Sequence, residues 1–524
     1  MWNEPSVGRI HGGCFALFDE MGAGKTKQVI DAAQILFEIG EIDLVIVITP
    51  NTVRPVWVDP DFGELEKHSW EDLPVAWTEY RQKTRSWGRG PKADRRLDWI
   101  VTNYDFIRKH ERLEYLLQFA GPKTMLVLDE STAIKNPTTQ QFKACLKLRR
   151  LCKRVIILNG TPIANNPGDL FAQMYILDPK IIDQKNWFYF RSRYGILGGF
   201  KAKQIVGWRD VEDLQRRIAP YCLRRLKMDC LDLPPKLDPV IVQTTLTPPT
   251  WKIYKDMRDD MLAWLDTQTV AISSQAAVKA MRLAQITSGF LGGIEDVDLP
   301  EPTPTGPTET DASRPPWVPV LASVNGPGRP NGNPADPSPL PAGLDGPTRE
   351  IGSEKLETLL DWIGERLENE PNFKLMVWCR FRVELQRSVR AIEARFPHVQ
   401  VGSIIGGQKA DDRQRSLSLL HPNTAPEGPV VVLGITQTGA TGINLTAAHD
   451  VFYLSFNYSL FLWLQSIDRV HRPGQTYPVS QWDCMAIGPD GQKTIDHVVL
   501  KAVKNKDDIA KWTTSAWVSA LREE

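Results

Sequence analysis

Phe18 to Gln28 reads "FDEMGAGKTKQ", and whether this stretch is a working phosphate loop decides the fold. It ends in Gly24-Lys25-Thr26, as the pattern G-x-x-x-x-G-K-[ST] requires, but Asp19 stands where that pattern has its first glycine. Such a loop works because backbone N–H groups at a strand-to-helix turn surround the phosphates, while the helix N-terminus adds positive potential. The parts this needs are present. "CFALF" (14–18) is an apolar strand, Gly22-Ala23-Gly24 supplies the turn, and Val29, Ile30, Ala33, Leu36 and Phe37 recur at helical spacing between Thr26 and Ile39, with Gly40 as the stop. Asp19 lies outside the tightest part of the turn. In this frame Met21, Gly22, Ala23, Gly24, Lys25, Thr26 and Lys27 line a nucleotide, with Lys25 on the β- and γ-phosphates and Thr26 on Mg²⁺. The bland alternative is a glycine turn before an ordinary helix.

A second motif weighs against that alternative. "MLVLDESTAIKN" is an apolar strand ending in Asp129-Glu130, which puts two carboxylates at the C-terminal edge of a sheet. One acid can hold Mg²⁺ and its neighbour can orient or deprotonate an attacking water. Acids also follow strands as solvated caps, so the pairing with the glycine loop carries more than either motif alone.

Working outward, "LVIVI" (44–48), "WIVT" (99–102), "MLVL" (125–128) and "VIIL" (155–158) are continuous apolar runs, as strands buried on both faces should be. That predicts a parallel sheet covered by helices. From about 165 to 290 the pattern is mostly helical, and from 297 to 347 Pro, Gly and small polar residues dominate and cannot supply a core. A proline-rich docking site is the functional reading of that segment. A second α/β pattern follows, with strands expected at "KLMVWC" (374–379), "VQVGSII" (399–405), "PVVVL" (429–433), "VFYL" (451–454) and "QWDCMAI" (481–487). In the second half, "LQSIDRVHRPGQ" (464–475) offers Gln465, Arg469 and Arg472. The two arginines share a face if helical, and a guanidinium fork suits charge developing on a transferring phosphoryl group.

The chain resembles the Swi/Snf-type helicase-like ATPases of superfamily two. "DEMGAGKT", "DEST" and "LNGTPIANNPGDLFAQMYIL" (158–177) are similar to motifs I, II and III, and in that family motif I commonly begins Asp-Glu-Met-Gly, which accounts for Asp19. "LVIVITPNTVRPVW" (44–57), "VTNYDFI" (101–107) and "KLMVWCRF" (374–381) look like motifs Ia, Ib and IV. "TQTGATGINLTAAHDVFYLSFNYS" (436–459) resembles motif V through Gly439, Gly442, Asn444 and Leu445, and 464–475 resembles motif VI. "PYCLRRLKMDCLDLPPK" (220–236), with Arg224, Arg225 and Lys227, is similar to the segment leading out of the first lobe's helical protrusion.

The resemblance implies an α/β fold of two RecA-like parallel-sheet lobes: lobe 1 over 1–175, a helical insertion over 176–296, a Pro/Gly-rich linker over 297–350 and lobe 2 over 351–524. It implies ATP and Mg²⁺ as cofactors. Lys25, Asp129, Glu130, Gln465, Arg469 and Arg472 then form the catalytic set, Thr26 and Asp129 hold the metal, Gly442 joins the nucleotide contacts, and Thr161 couples nucleotide to nucleic acid. Thr49, Asn51, Thr102, Asn103, Thr438 and Asn444 become the nucleic-acid contacts. The family's adenine-reading glutamine upstream of motif I has no counterpart, since none of the residues before Asp19 is a glutamine.

Composition sets the remaining bounds. Lys+Arg and Asp+Glu are both 63, so net charge gives no global argument for a polyanionic partner. A local basic stretch, "RQKTRSWGRGPKADRR" (81–96), supplies one. The 7 cysteines contain no C-x-x-C pair, which argues against a zinc site or a disulfide framework and for a reducing compartment. No apolar run reaches the roughly 18 residues a membrane span needs. The expectation is a cytoplasmic, monomeric protein of bacterial or phage-like type, with replication or recombination proteins as partners. Its expected activity is DNA-stimulated ATP hydrolysis that drives translocation along duplex DNA and remodels protein–DNA or branched DNA. The alternatives are a true helicase unwinding DNA or RNA, a nucleic-acid-binding module with a degenerate ATPase, and a P-loop enzyme acting on small molecules.

Overall fold

A computed structural model describes residues 13–51, 53–59, 63–81, 95–163, 166–198, 204–267, 273–292, 348–439 and 443–504. Two sheets organise them. The first has seven strands in the order Val75–Glu79, Leu97–Asn103, Leu44–Thr49, Thr124–Leu128, Arg154–Leu158, Cys14–Leu17 and Cys222–Leu223, every pairing parallel. The second has six, in the order Val240–Thr245, Ser480–Ile487, Asp450–Tyr453, Lys374–Cys379, Val430–Ile435 and Gln400–Ile404, again all parallel. These are the two expected RecA-like parallel-sheet lobes.

The unbroken apolar runs follow from burial on both faces. Along Leu44–Thr49, Leu44, Ile46 and Ile48 enter one core layer and Val45 and Val47 enter the other. Along Lys374–Cys379, Met376 and Trp378 face one layer while Leu375, Val377 and Cys379 face its opposite. Each such fully buried aliphatic side chain contributes about 1.5–3 kcal/mol relative to exposure. Polar residues at alternate positions would forfeit that contribution on one face.

Two expected boundaries give way. Residues 176–296 do not form one insertion. Ile181, Phe190, Tyr194, Leu214 and Ile218 pack into a core layer of the first lobe, and Cys222–Leu223 completes its sheet. The chain then crosses, and Val240–Thr245 joins the second sheet beside Ser480–Ile487, with the helices Pro248–Thr267 and Ser273–Thr287 following on that lobe. The Pro/Gly-rich segment is not an inter-lobe linker either. Phe290 pairs with Glu350 and Leu291 with Arg349 in an antiparallel ladder, so the chain leaves and re-enters the second lobe at one place. Residues 293–347 themselves lie outside the described residues.

Because all strands of a sheet run the same way, their carboxyl ends share one edge. In the first lobe that edge collects the glycine loop after Leu17, Asn51 after Thr49, Asn103, Asp129-Glu130, Asn159–Thr161 and Arg224-Arg225. Among the described residues no helix is long and apolar enough to cross a membrane.

Candidate nucleotide site between the lobes

The glycine loop has the expected build. Gly22 and Gly24 take φ of 79° and 78°, values that favour residues without a Cβ, and the helix Lys25–Glu38 starts directly after. Gly40, at φ 79°, donates its N–H to Phe37 O and closes the helix. Lys25 folds back so that its Nζ donates to the carbonyls of Asp19 (2.8 Å) and Glu20 (2.9 Å). Burial pushes the Lys25 pKa down, against the pull of Glu130, Asp129 and Asp19. Lys27 is turned away. Its ammonium pairs with Asp31 one helical turn on.

Asp19, the apparent misfit, is fully buried and works as a clasp. Its carboxylate accepts from Gln28 Nε2 (3.0 Å), from the Arg225 backbone N–H (2.9 Å) and from Arg225 Nη2 (3.0 Å). A glycine here would leave Arg225 and Gln28 without that acceptor. In the sequence alone Asp19 looks merely tolerable, because nothing local reveals a partner more than two hundred residues away.

Asp129 and Glu130 follow the Thr124–Leu128 strand. Asp129 Oδ2 accepts from Trp57 Nε1 (2.9 Å) and Thr49 Oγ1 (3.2 Å), while Oδ1 accepts the Glu130 N–H (2.9 Å). Donors behind a carboxylate in this way fix its orientation toward a metal. Glu130 sits at φ 49°, a left-handed backbone that a glutamate rarely adopts. Burial, and then the neighbouring Asp129 charge, push its pKa up to about 7. Burial also raises the Asp129 pKa.

The second lobe reaches the same carboxylate. Gln465, on the helix Leu460–Ile467, donates from Nε2 to Glu130 Oε1 (3.3 Å). The helix ends before the arginines, so Arg469 and Arg472 lie in the turns beyond it and not on a helical face. Burial and then repulsion from Arg472 bring the Arg469 pKa down to about 10, with Asp468 and Glu130 opposing. Arg472 Nη1 is held by Ile443 O (3.0 Å), and the Leu445 N–H donates to Arg469 O (3.0 Å). Motifs V and VI are therefore fastened together. Asn444 accepts the Thr446 N–H.

Several residues fall elsewhere than expected. Thr49 and Thr102 are fully buried, their hydroxyls given to Asp129 and to Tyr80 O (2.9 Å), so neither side chain is a phosphate contact. Asn51 and Asn103 do meet at the sheet edge, Asn103 Nδ2 donating to Asn51 Oδ1 (3.4 Å). Thr161 is buried and its N–H donates to Asn159 Oδ1 (2.8 Å); Asn159 donates to Ser131 Oγ, which donates to Gln173 Oε1. Motifs II and III thus share one hydrogen-bond chain. Gly442 and the side chain of Thr438 lie outside the described residues, as does most of the basic stretch. At its end Arg96 pairs with Asp98 (2.8 Å). Trp57 and Gln28 lie within the quoted stretches, but no motif pattern gave either a role; their contacts to Asp129 and Asp19 appear only in the fold.

The arrangement fits a nucleotide and its metal. A Cβ built on Gly24 would meet nothing within 4 Å, so the loop faces open space. A buried ammonium with a lowered pKa is stabilised by an anion placed beside it. Glu130 Oε2 and Gln465 Oε1 are buried oxygens with no donor among the described residues, as a water held for attack would require.

Fold and site together define a two-lobed P-loop nucleotide-binding protein of the helicase-like kind. Residues 6–289 match the SNF2-related domain and residues 354–474 the Helicase conserved C-terminal domain, and the chain belongs to the SNF2-related family. It is 24% identical over 519 residues to the SNF2 domain-containing protein ENL1 of Oryza sativa subsp. japonica, covering 93% of this chain and 48% of that one. It is 25% identical over 553 residues to the human TATA-binding protein-associated factor 172, covering 98% of this chain and 27% of that one. The chain thus spans less than half the length of these curated relatives. A solved structure described as the Sulfolobus solfataricus SWI2/SNF2 ATPase core in complex with dsDNA is 23% identical, with coverage of 97% of this chain and 91% of that chain and a TM-score of 0.37.

Proposed function

We propose that this protein is a DNA-stimulated ATPase that couples hydrolysis to movement along duplex DNA and so remodels protein–DNA complexes. The observation that carries the reading is the Gln465–Glu130 hydrogen bond with Arg469 beside it: the base is on one lobe and its partners are on the other. Turnover in such a site tracks lobe closure, which is how nucleotide chemistry becomes motion.

Lys25, Thr26 and Asp129 would hold the triphosphate and Mg²⁺, which supply the leaving group and the charge neutralisation when bound. Lys25 exchanges its two loop carbonyls for phosphate oxygens. Glu130 accepts a proton from water at its unpartnered Oε2, and Gln465 holds that water against it. Arg469 and Arg472 stabilise negative charge as it develops. Opening the lobes withdraws Gln465 and both arginines together, because all three lie within Gln465–Arg472.

SNF2-related membership supports DNA as the partner, and Asn51 with Asn103 at the carboxyl edge of the first sheet supports a contact there. Such a grip is mainly on phosphates and independent of sequence. The test is ATP hydrolysis without nucleic acid and with single-stranded DNA, duplex DNA or RNA, at one salt concentration. Duplex DNA is expected to stimulate most. Stimulation by single strands or RNA alone would overturn the duplex reading in favour of unwinding, and a triplex-displacement assay separates movement from strand separation.

A further inference from the structure

The segment that carries the chain from one lobe to the other also grips the phosphate loop, residue by residue. Arg224 Nη1 donates to Phe18 O (2.6 Å), Arg225 holds the Asp19 carboxylate, and the Lys227 N–H donates to Glu20 Oε2 (2.7 Å). The Lys227 side chain then leaves the first lobe. Its Nζ donates to Asp468 Oδ1 (2.6 Å) and His471 O (2.7 Å), on the two sides of Arg469 and just before Arg472. Lys227 is only 7% exposed. A Cβ on Gly22 would lie 3.3 Å from Lys227 Cε and 3.8 Å from Pro473 Cδ, so loop, crossing segment and motif VI converge at one point.

We infer that Lys227 is a positioning residue, a latch that sets the approach of Arg469 and Arg472 to the phosphate loop before nucleotide binds. The inference rests on the ATPase reading for its kinetic consequence, but not for its structural one. One amino acid joins Glu20 through its backbone and Asp468 through its side chain, so a shift of the glycine loop is passed to the arginine turns along a single residue. Lys227 is buried and Asp468 partly buried, so salt screens the pair less than it would an exposed one. Lys227 touches neither the water position nor the catalytic carboxylates. Its effect runs through the placement of groups that do.

The experiment places spin labels at Lys147→Cys and Arg390→Cys, one exposed position on each lobe, in a Cys230→Ser background, since the other six native cysteines are buried. Lys227→Met and Asp468→Asn are each expected to lengthen and broaden the inter-lobe distance without nucleotide. A non-hydrolysable ATP analogue should return both to the parental distance. In parallel, each variant should lower kcat about tenfold, as small misplacements of a catalytic group do, with KM for ATP within about twofold. The double variant should be no worse than either single one, because both remove the same contact. An unchanged distance in both variants overturns the latch, and so does a double variant whose loss equals the product of the singles. If the parent protein hydrolyses no ATP, the ATPase reading fails while the distance measurement still decides the latch. Should Lys227→Met not fold, the distance in Asp468→Asn alone decides it.

Discussion

In the first lobe the paired carboxylates sit on a strand end; in the second the arginines hang from turns beyond a short helix. Asp129 follows directly on a strand of the central sheet and is fixed by Trp57, Thr49 and its own neighbour's N–H. Arg469 and Arg472 come after Ile467, where the helix stops, and are fastened chiefly to the motif V backbone. Rigid strand ends suit groups whose geometry must be ready before substrate arrives, and a turn suits groups that must come and go. On the proposed reading the first lobe is a preformed binding site, and the second is the part whose arrival makes it catalytic.

The sharpest way to break this comparison is at Lys25. Lys25→Ala is expected to abolish turnover while leaving DNA affinity without nucleotide within about twofold; equilibrium DNA binding together with an ATPase assay checks both, and loss of DNA binding in the folded variant would end the division of labour. Arg472→Ala should lower kcat by about 10³-fold with ATP affinity changed only a few-fold, because such an arginine acts mainly on transition-state charge. An equal loss in ATP affinity would move Arg472 into ground-state binding and blur the contrast. The smallest effect is in pH. Glu130, held up to about 7 by burial and by Asp129, loses its base form as pH falls, so kcat/KM for ATP should drop about tenfold per unit below that value and level off above it. A flat profile between pH 5 and 8 would remove Glu130 as the base.

Much of this contrast was legible in the residues themselves. Strands buried on both faces must be apolar throughout, and five runs in each half, "CFALF" and "LVIVI" among them, found their places. Gln400–Ile404 was the one edge strand legible in advance; the others were not. Val75–Glu79 is only half-buried throughout and Val240–Thr245 is mostly exposed, so neither is under pressure to be uniformly apolar. Missing Val240–Thr245 displaced the lobe boundary. The glycine loop and Asp129-Glu130 were readable because phosphate chemistry dictates residue types at fixed local spacing. The clasp of Asp19 on Arg225 was not, because a carboxylate and a guanidinium on distant parts of the chain leave no local pattern. Thr49 looked like a surface contact for the converse reason: motif position does not tell which way a hydroxyl points.

The short ladder of Phe290–Leu291 with Arg349–Glu350 has a consequence for how this chain can vary. It brings the two ends of the Pro/Gly-rich segment together on the second lobe, away from the crossing at 224–239. Doubling the length of a loop whose ends are already joined costs only about 0.6 kcal/mol. Sequence can therefore be gained, lost or exchanged there with little penalty to the two lobes, and this is the port at which descendants of one ATPase could acquire different attachments.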